Sequence, residues 1–124
     1  MRRLSRRLLI KPFKKISAVE EDYIRKAKEL VSREGKFGSI EAAYYYLLYI
    51  DGYADEEGAW PDGNYFIAFR ITRNEAREFG FKPSAEWFVM EETPSGRLYY
   101  KTLTDAEFER YLNDYQLATE EDEF

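Results

Sequence analysis

The chain contains no cysteine and no histidine among its 124 residues. The first absence removes disulfides and thiolate nucleophiles, and the second removes the imidazole acid or base on which most hydrolases depend. Together they remove the usual zinc sites as well. Amide side chains are scarce too, with one glutamine (Gln116) and three asparagines (Asn64, Asn74 and Asn113) against 35% charged residues. Few thermolabile side chains and many charges form the composition of a thermophile, so an archaeal or thermophilic viral source is expected.

Long apolar runs are also missing. The longest candidate runs from Ala42 to Ile50, far short of the roughly 20 residues needed to cross a bilayer. The opening Met1-Arg-Arg-Leu-Ser-Arg-Arg-Leu-Leu-Ile10 is arginine-rich and acid-free in the manner of an organellar transit peptide, but Leu8-Leu9-Ile10 is too brief for a secretory apolar region. A cytoplasmic protein is the expectation. Arg2-Arg3-Leu4-Ser5 fits a basophilic kinase site, a pattern short enough to recur by chance. The phosphate-loop, dinucleotide and nucleophile-elbow signatures do not occur, which points away from an enzyme.

What the sequence has is aromatic mass and divided charge. Eleven tyrosines, nine phenylalanines and two tryptophans supply large buried area at modest entropic cost, and the surplus rings must serve as contact surface. The net charge of −5 conceals two opposed blocks. Residues 1–15 hold seven of the 19 bases (Arg2, Arg3, Arg6, Arg7, Lys11, Lys14 and Lys15) and none of the 24 acids, leaving 12 bases against 24 acids in the rest. No lysine or arginine falls within 37–69, whereas Glu41, Asp51, Asp55, Glu56, Glu57 and Asp62 do. The last 22 residues set eight acids against Arg110. A basic arm on an acidic body is a pattern for contact with nucleic acid, nucleoprotein, membrane or an acidic partner. A solvated terminus and an arm folded back on the acidic body, its own or a neighbour's, are the plainer alternatives.

Local signals divide the chain into a basic arm (1–16), one α+β domain (17–118) and an acidic tail (119–124). Ser17-x-x-Glu20 is a capping box opening a helix over about 18–34 that Gly35 stops. Ser39 caps a second helix running to about Asp51, so apolar all round that it belongs at the centre of the fold. Residues 52–64, with Gly58, Pro61 and Gly63, read as a long acidic loop, and 65–72 as a strand. Thr72-x-x-Glu75 opens a short helix ended by Gly80. Residues 85–92 and 97–102 flank Thr93-Pro-Ser-Gly96 as a hairpin. Thr104-x-x-Glu107 starts a last helix to about Leu117, with a frayed tail beyond Thr119. The expected fold is α+β: a small three-stranded antiparallel or mixed sheet with helices packed on one face, in the order arm-α-α-β-α-β-β-α.

Candidate sites follow from charge and exposure. The arm bases are the candidate nucleic-acid contacts. Trp60, in a polar loop, together with Asp55, Glu56 and Glu57, is the candidate surface for a protein partner, with packing of Trp60 onto its own domain as the alternative. Trp87 reads as core. Asp51, Asp55, Glu56 and Glu57, with Asp62, present carboxylates that would suit a divalent cation, but Tyr53, Glu56 and Asp62 depart from the calcium-loop pattern, and a solvated acidic loop is the simpler reading. Arg70, Arg97, Tyr99 and Lys101 would interleave bases with a ring, as single-strand binders do, unless they pair with Glu86, Glu91 or Glu92 across strands.

These observations lead to the expectation of a non-enzymatic accessory or adaptor protein in a nucleic-acid-associated complex, monomeric or homodimeric, with no cofactor. Its arm would contact nucleic acid or nucleoprotein, and its acidic aromatic body a protein partner. The alternatives are an acidic nucleic-acid mimic that inhibits a nucleic-acid-binding enzyme, possible for a viral protein, and a carboxylate metal-dependent hydrolase.

Overall fold

The computed structural model describes residues 17–34 and 37–122. The basic arm, Gly35 and the last two residues lie outside the described residues. Helix α1 (Ser17–Glu34) is followed by α2 (Ile40–Ile50), strands β1 (Glu56–Ala59) and β2 (Tyr65–Arg70), helix α3 (Arg73–Phe79), strands β3 (Trp87–Glu92) and β4 (Leu98–Leu103), and helix α4 (Asp105–Asp122).

The helix ends form where side chains satisfy otherwise orphaned backbone groups. Ser39 accepts from the Ala42 amide at 3.1 Å to open α2. At its other end, Gly52 (φ +88°) lets its own amide reach the Tyr49 carbonyl and that of Tyr53 reach Leu48, a Schellman closure. The capping boxes of α3 and α4 close in both directions: Thr72 with Glu75 (3.1 and 2.9 Å) and Thr104 with Glu107 (3.1 and 2.9 Å). Gly80 ends α3 in the left-handed region.

The sheet has four strands in the order β1-β2-β3-β4, every pair antiparallel. This corrects the expected three-stranded sheet, because the supposed acidic loop at 52–64 contains β1. Glu56 stands opposite Ala68 and Gly58 opposite Phe66. The tight turn after β1 is held by the Trp60 amide on the Asn64 carbonyl (2.7 Å) and by Asp62 accepting from the Asn64 amide (3.0 Å). The expected hairpin closes at Thr93, whose amide donates to the Arg97 carbonyl at 2.9 Å.

Helices cover both faces of the sheet, which corrects the expected one-sided packing. Period-two alternation sends Ile67, Phe69, Phe88 and Met90 toward α2 and α1, where they meet Ala43, Tyr44, Tyr45 and Leu48. Tyr45 stacks on Phe88 at 4.2 Å between ring centroids. The intervening residues Phe66, Ala68 and Val89 face α4 and bury Phe108, Leu112 and Tyr115. Gly58 permits that second layer. A Cβ there would lie 2.5 Å from the Tyr115 hydroxyl and 2.9 Å from the Phe66 ring, so β1 carries no side chain where α4 presses closest. Helix α4 runs on to Asp122, past the end expected near Leu117.

Candidate functional site

The seven arm bases lie outside the described residues. The candidate partner surface is split by the pleat of β1. Glu56 turns toward α4 and is buried, whereas Glu57 points to the opposite face and accepts from the Tyr65 hydroxyl at 2.7 Å. Asp55 accepts from the Arg70 amide at 2.9 Å. Trp60 packs edge-on against Tyr111 and Tyr115, at 5.5 and 5.3 Å, and its indole N–H donates to the Tyr111 hydroxyl at 3.3 Å. The four residues therefore do not form one patch.

The candidate cation ligands are similarly dispersed. Asp51 accepts from the Tyr23 hydroxyl, Asp62 closes its own turn, and Glu56 lies under α4. Among the described residues no three carboxylates converge to hold a metal ion.

The basic and aromatic strip is drawn together on the α4 side of the sheet. The register sets Arg70 opposite Trp87, Val89 opposite Lys101 and Glu91 opposite Tyr99. Arg70 does not bond to a glutamate across the sheet. Its guanidinium lies 4.7 Å from the Trp87 ring and 3.2 Å from Asp105 of α4, and Asp105 also accepts from the Trp87 indole at 2.8 Å. Trp87 is thus clamped between Arg70 and Phe108, half-buried at a rim rather than in the core. Farther along, Lys101 lies 5.3 Å from the Tyr111 ring, and Arg97 donates to the Tyr99 hydroxyl at 3.2 Å. Glu91 accepts from the Tyr111 hydroxyl and the Asn64 side-chain amide rather than from a base.

Sequence reasoning missed the most buried polar cluster. Glu75, read as a cap alone, is fully buried. Besides the Thr72 amide, it accepts from the Tyr44 hydroxyl at 2.5 Å and the Tyr45 hydroxyl at 3.0 Å. Burial, reinforced by the adjacent Glu75 charge, pushes both phenols well above the ordinary tyrosine range. Tyr111 is raised by burial and by its bond to Glu91, and Tyr65 by burial and its bond to Glu57. Such neutral, fixed hydroxyls anchor helices to one another and suit structure better than proton transfer. The one available signal was a glutamate in a first turn, with two adjacent tyrosines some 30 residues earlier in the chain.

The remaining surface of note is the β4 edge. Tyr99 and Tyr100 are 52% and 43% exposed, and β4 has no strand on its outer side among the described residues. A 140 Å³ recess bounded by Val89, Glu91 and Lys101 flanks it on the α4 side, and a 260 Å³ recess bounded by Phe37, Ala42 and Leu98 on the other. No described helix is long and apolar enough to cross a membrane. No known protein family, curated protein or solved structure matches the chain. Fold and surface define the chain as a small α+β protein with a covered meander sheet and one open aromatic edge.

Proposed function

We propose that the chain is a non-enzymatic accessory protein of a nucleic-acid-associated complex. The observation that carries this reading is the division of charge, seven bases and no acid in residues 1–15 against twice as many acids as bases in the remainder. A cationic segment of that density gains affinity for phosphate by releasing condensed counterions, whatever the base sequence. The folded body would be repelled by the same polyanion, so the arm is the element that engages it.

The body's part is contact with protein. The solvent side of α4 exposes Glu107, Glu109, Asp114 and Glu120 around Arg110. That helix offers four exposed carboxylates along the two margins of its solvent side, where Asp55, Glu56 and Glu57 are split between faces. It also favours a second reading, an acidic decoy for a nucleic-acid-binding enzyme, in which the helix stands in for a phosphate backbone. The two readings separate in one experiment. Fluorescence anisotropy at low salt compares labelled single- and double-stranded oligonucleotides against the full chain and an R2Q/R3Q/R6Q/R7Q variant. An accessory protein loses most of its affinity on neutralisation. A full chain that binds neither oligonucleotide ends the accessory reading.

A further inference from the structure

We propose that two copies of this chain join edge to edge through β4, in an antiparallel pairing centred on Tyr100, to form one continuous sheet. An open strand edge invites pairing, and proteins that stay apart protect such edges with charge, proline or a bulge. Both edges of this sheet carry charge, but β1 has two adjacent acids in four residues and β4 the single base Lys101 in six. The β1 edge carries Glu56 and Glu57 within four residues, so self-pairing there would bring carboxylates together. The β4 edge is six residues long, contains no acid, and exposes two adjacent tyrosines.

The hydrogen-bond phase of β4 and the placement of its charges select the centre. Thr93 and Arg97 form a hydrogen-bonded pair at the hairpin. By alternation Tyr99, Lys101 and Leu103 direct their backbone groups toward β3, leaving those of Leu98, Tyr100 and Thr102 on the open edge. A two-fold axis between antiparallel strands can pass beside any residue from 98 to 102 and still let outward groups meet. Axes at either end of that range pair only part of β4. One beside Tyr99 sets Arg97 opposite Lys101, and one beside Lys101 sets two lysines opposite each other. Tyr100 is therefore the centre that pairs most of β4 without opposing like charges.

The side chains then match. Tyr100 meets Tyr100 of the second copy and Leu98 meets Thr102 on the α2 side. On the α4 side Tyr99 stands opposite Lys101 in a non-hydrogen-bonded pair, where side chains approach most closely. Each copy supplies one ammonium group and one ring to the other, a cation–π pairing of the kind Lys101 already makes with Tyr111. No like charges stand directly opposite. An acidic peptide would find Arg97 and Lys101 but leave both rings without a counterpart, so a second copy is the better occupant. Among the described residues no strand pairs with this edge, and a recess lies on either side of it. This inference does not depend on the proposed function.

The test uses the full chain. Amide hydrogen exchange is followed by NMR from micromolar to millimolar concentration, with sedimentation equilibrium in parallel. Leu98, Tyr100 and Thr102 are expected to gain protection as concentration rises and dimer forms, while Tyr99 and Lys101 are protected throughout. Two substitutions at one exposed position separate association from folding. Y99K faces Lys101 of the second copy, so it weakens the dimer at least tenfold, while in the monomer the gain of Glu91 across β3 offsets the loss of the Arg97 hydrogen bond. Y99E strengthens the dimer and sets two acids opposite each other in the monomer. A monomer at every concentration overturns the proposal, as does fast exchange at Leu98, Tyr100 and Thr102 throughout. Protection that appears only on adding polyglutamate or single-stranded oligonucleotide also overturns it, by giving the edge to another occupant.

Discussion

Replacing Glu75 with alanine tests whether the buried carboxylate holds α2 and α3 together. The substitution leaves three donors facing an apolar hole: the hydroxyls of Tyr44 and Tyr45 and the Thr72 amide. Each unsatisfied buried donor costs about 1–3 kcal/mol, and the vacated volume adds to that. Against this stands the cost of dehydrating the carboxylate in the native protein, which the substitution relieves. The net expected loss is about 3–5 kcal/mol, a third or more of the stability of an ordinary domain. E75Q keeps the volume and one acceptor, and loses less, roughly 1–3 kcal/mol. The decisive comparison is Y44F/Y45F/E75M, which removes both phenolic donors with the acceptor and fills the space. Of the three donors named, the Thr72 amide alone then lacks its bond, so this triple variant recovers most of the loss. Urea unfolding followed by tyrosine and tryptophan fluorescence reads all three. The reasoning is refuted if E75A unfolds within about 0.5 kcal/mol of the parent chain, or if the triple variant is no more stable than E75A.

Two further predictions follow from packing and from linkage. G58A forces a methyl group into the Tyr115 and Phe66 rings and costs about 1–3 kcal/mol, and G58A/Y115L returns part of it; equal urea midpoints for G58A and the parent chain would contradict the close approach. Tyr44 and Tyr45 keep their protons in the folded state to higher pH than in the unfolded chain, so the unfolded state binds fewer protons above pH 10 or so and stability falls as pH rises. The slope approaches about 1.4 kcal/mol per pH unit for each of these phenols, and Y44F/Y45F removes their share; a urea midpoint unchanged between about pH 9 and pH 11 would count against it.

Much of the architecture is written locally. Thr72 with Glu75, Thr104 with Glu107, and Thr93-Pro-Ser-Gly96 each place both partners of a hydrogen bond within a few residues, so spacing alone locates them. Strand β1 has no such mark. Glu56-Glu57-Gly58-Ala59 lacks branched and aromatic residues, and its pairing is imposed by β2 and by a glycine that admits Tyr115. Packing on both faces did leave a trace, because Phe66-Ile67-Ala68-Phe69 is apolar in succession where a one-faced strand would alternate. The extra turn of α4 has no stop residue before Asp122 to predict or forbid it. Of the candidate site residues, Trp60 and Arg70 gained partners on α4 that lie 51 and 35 positions away in the chain, beyond the reach of any local pattern. The Glu75 cluster was hidden for the same reason: a cap is a contact between near neighbours, whereas its burial depends on α2.

The dependence of nucleic-acid affinity on salt tests the central claim most directly. With seven bases in the arm, the logarithm of the binding constant for duplex DNA should fall against the logarithm of salt concentration with a slope of about −4 to −6. Neutralising Arg2, Arg3, Arg6 and Arg7 should flatten that slope by roughly 3 to 4. Equal slopes for the two proteins would contradict the account, because the polyanion would then be held by groups other than these four arginines, which are most of the arm's charge.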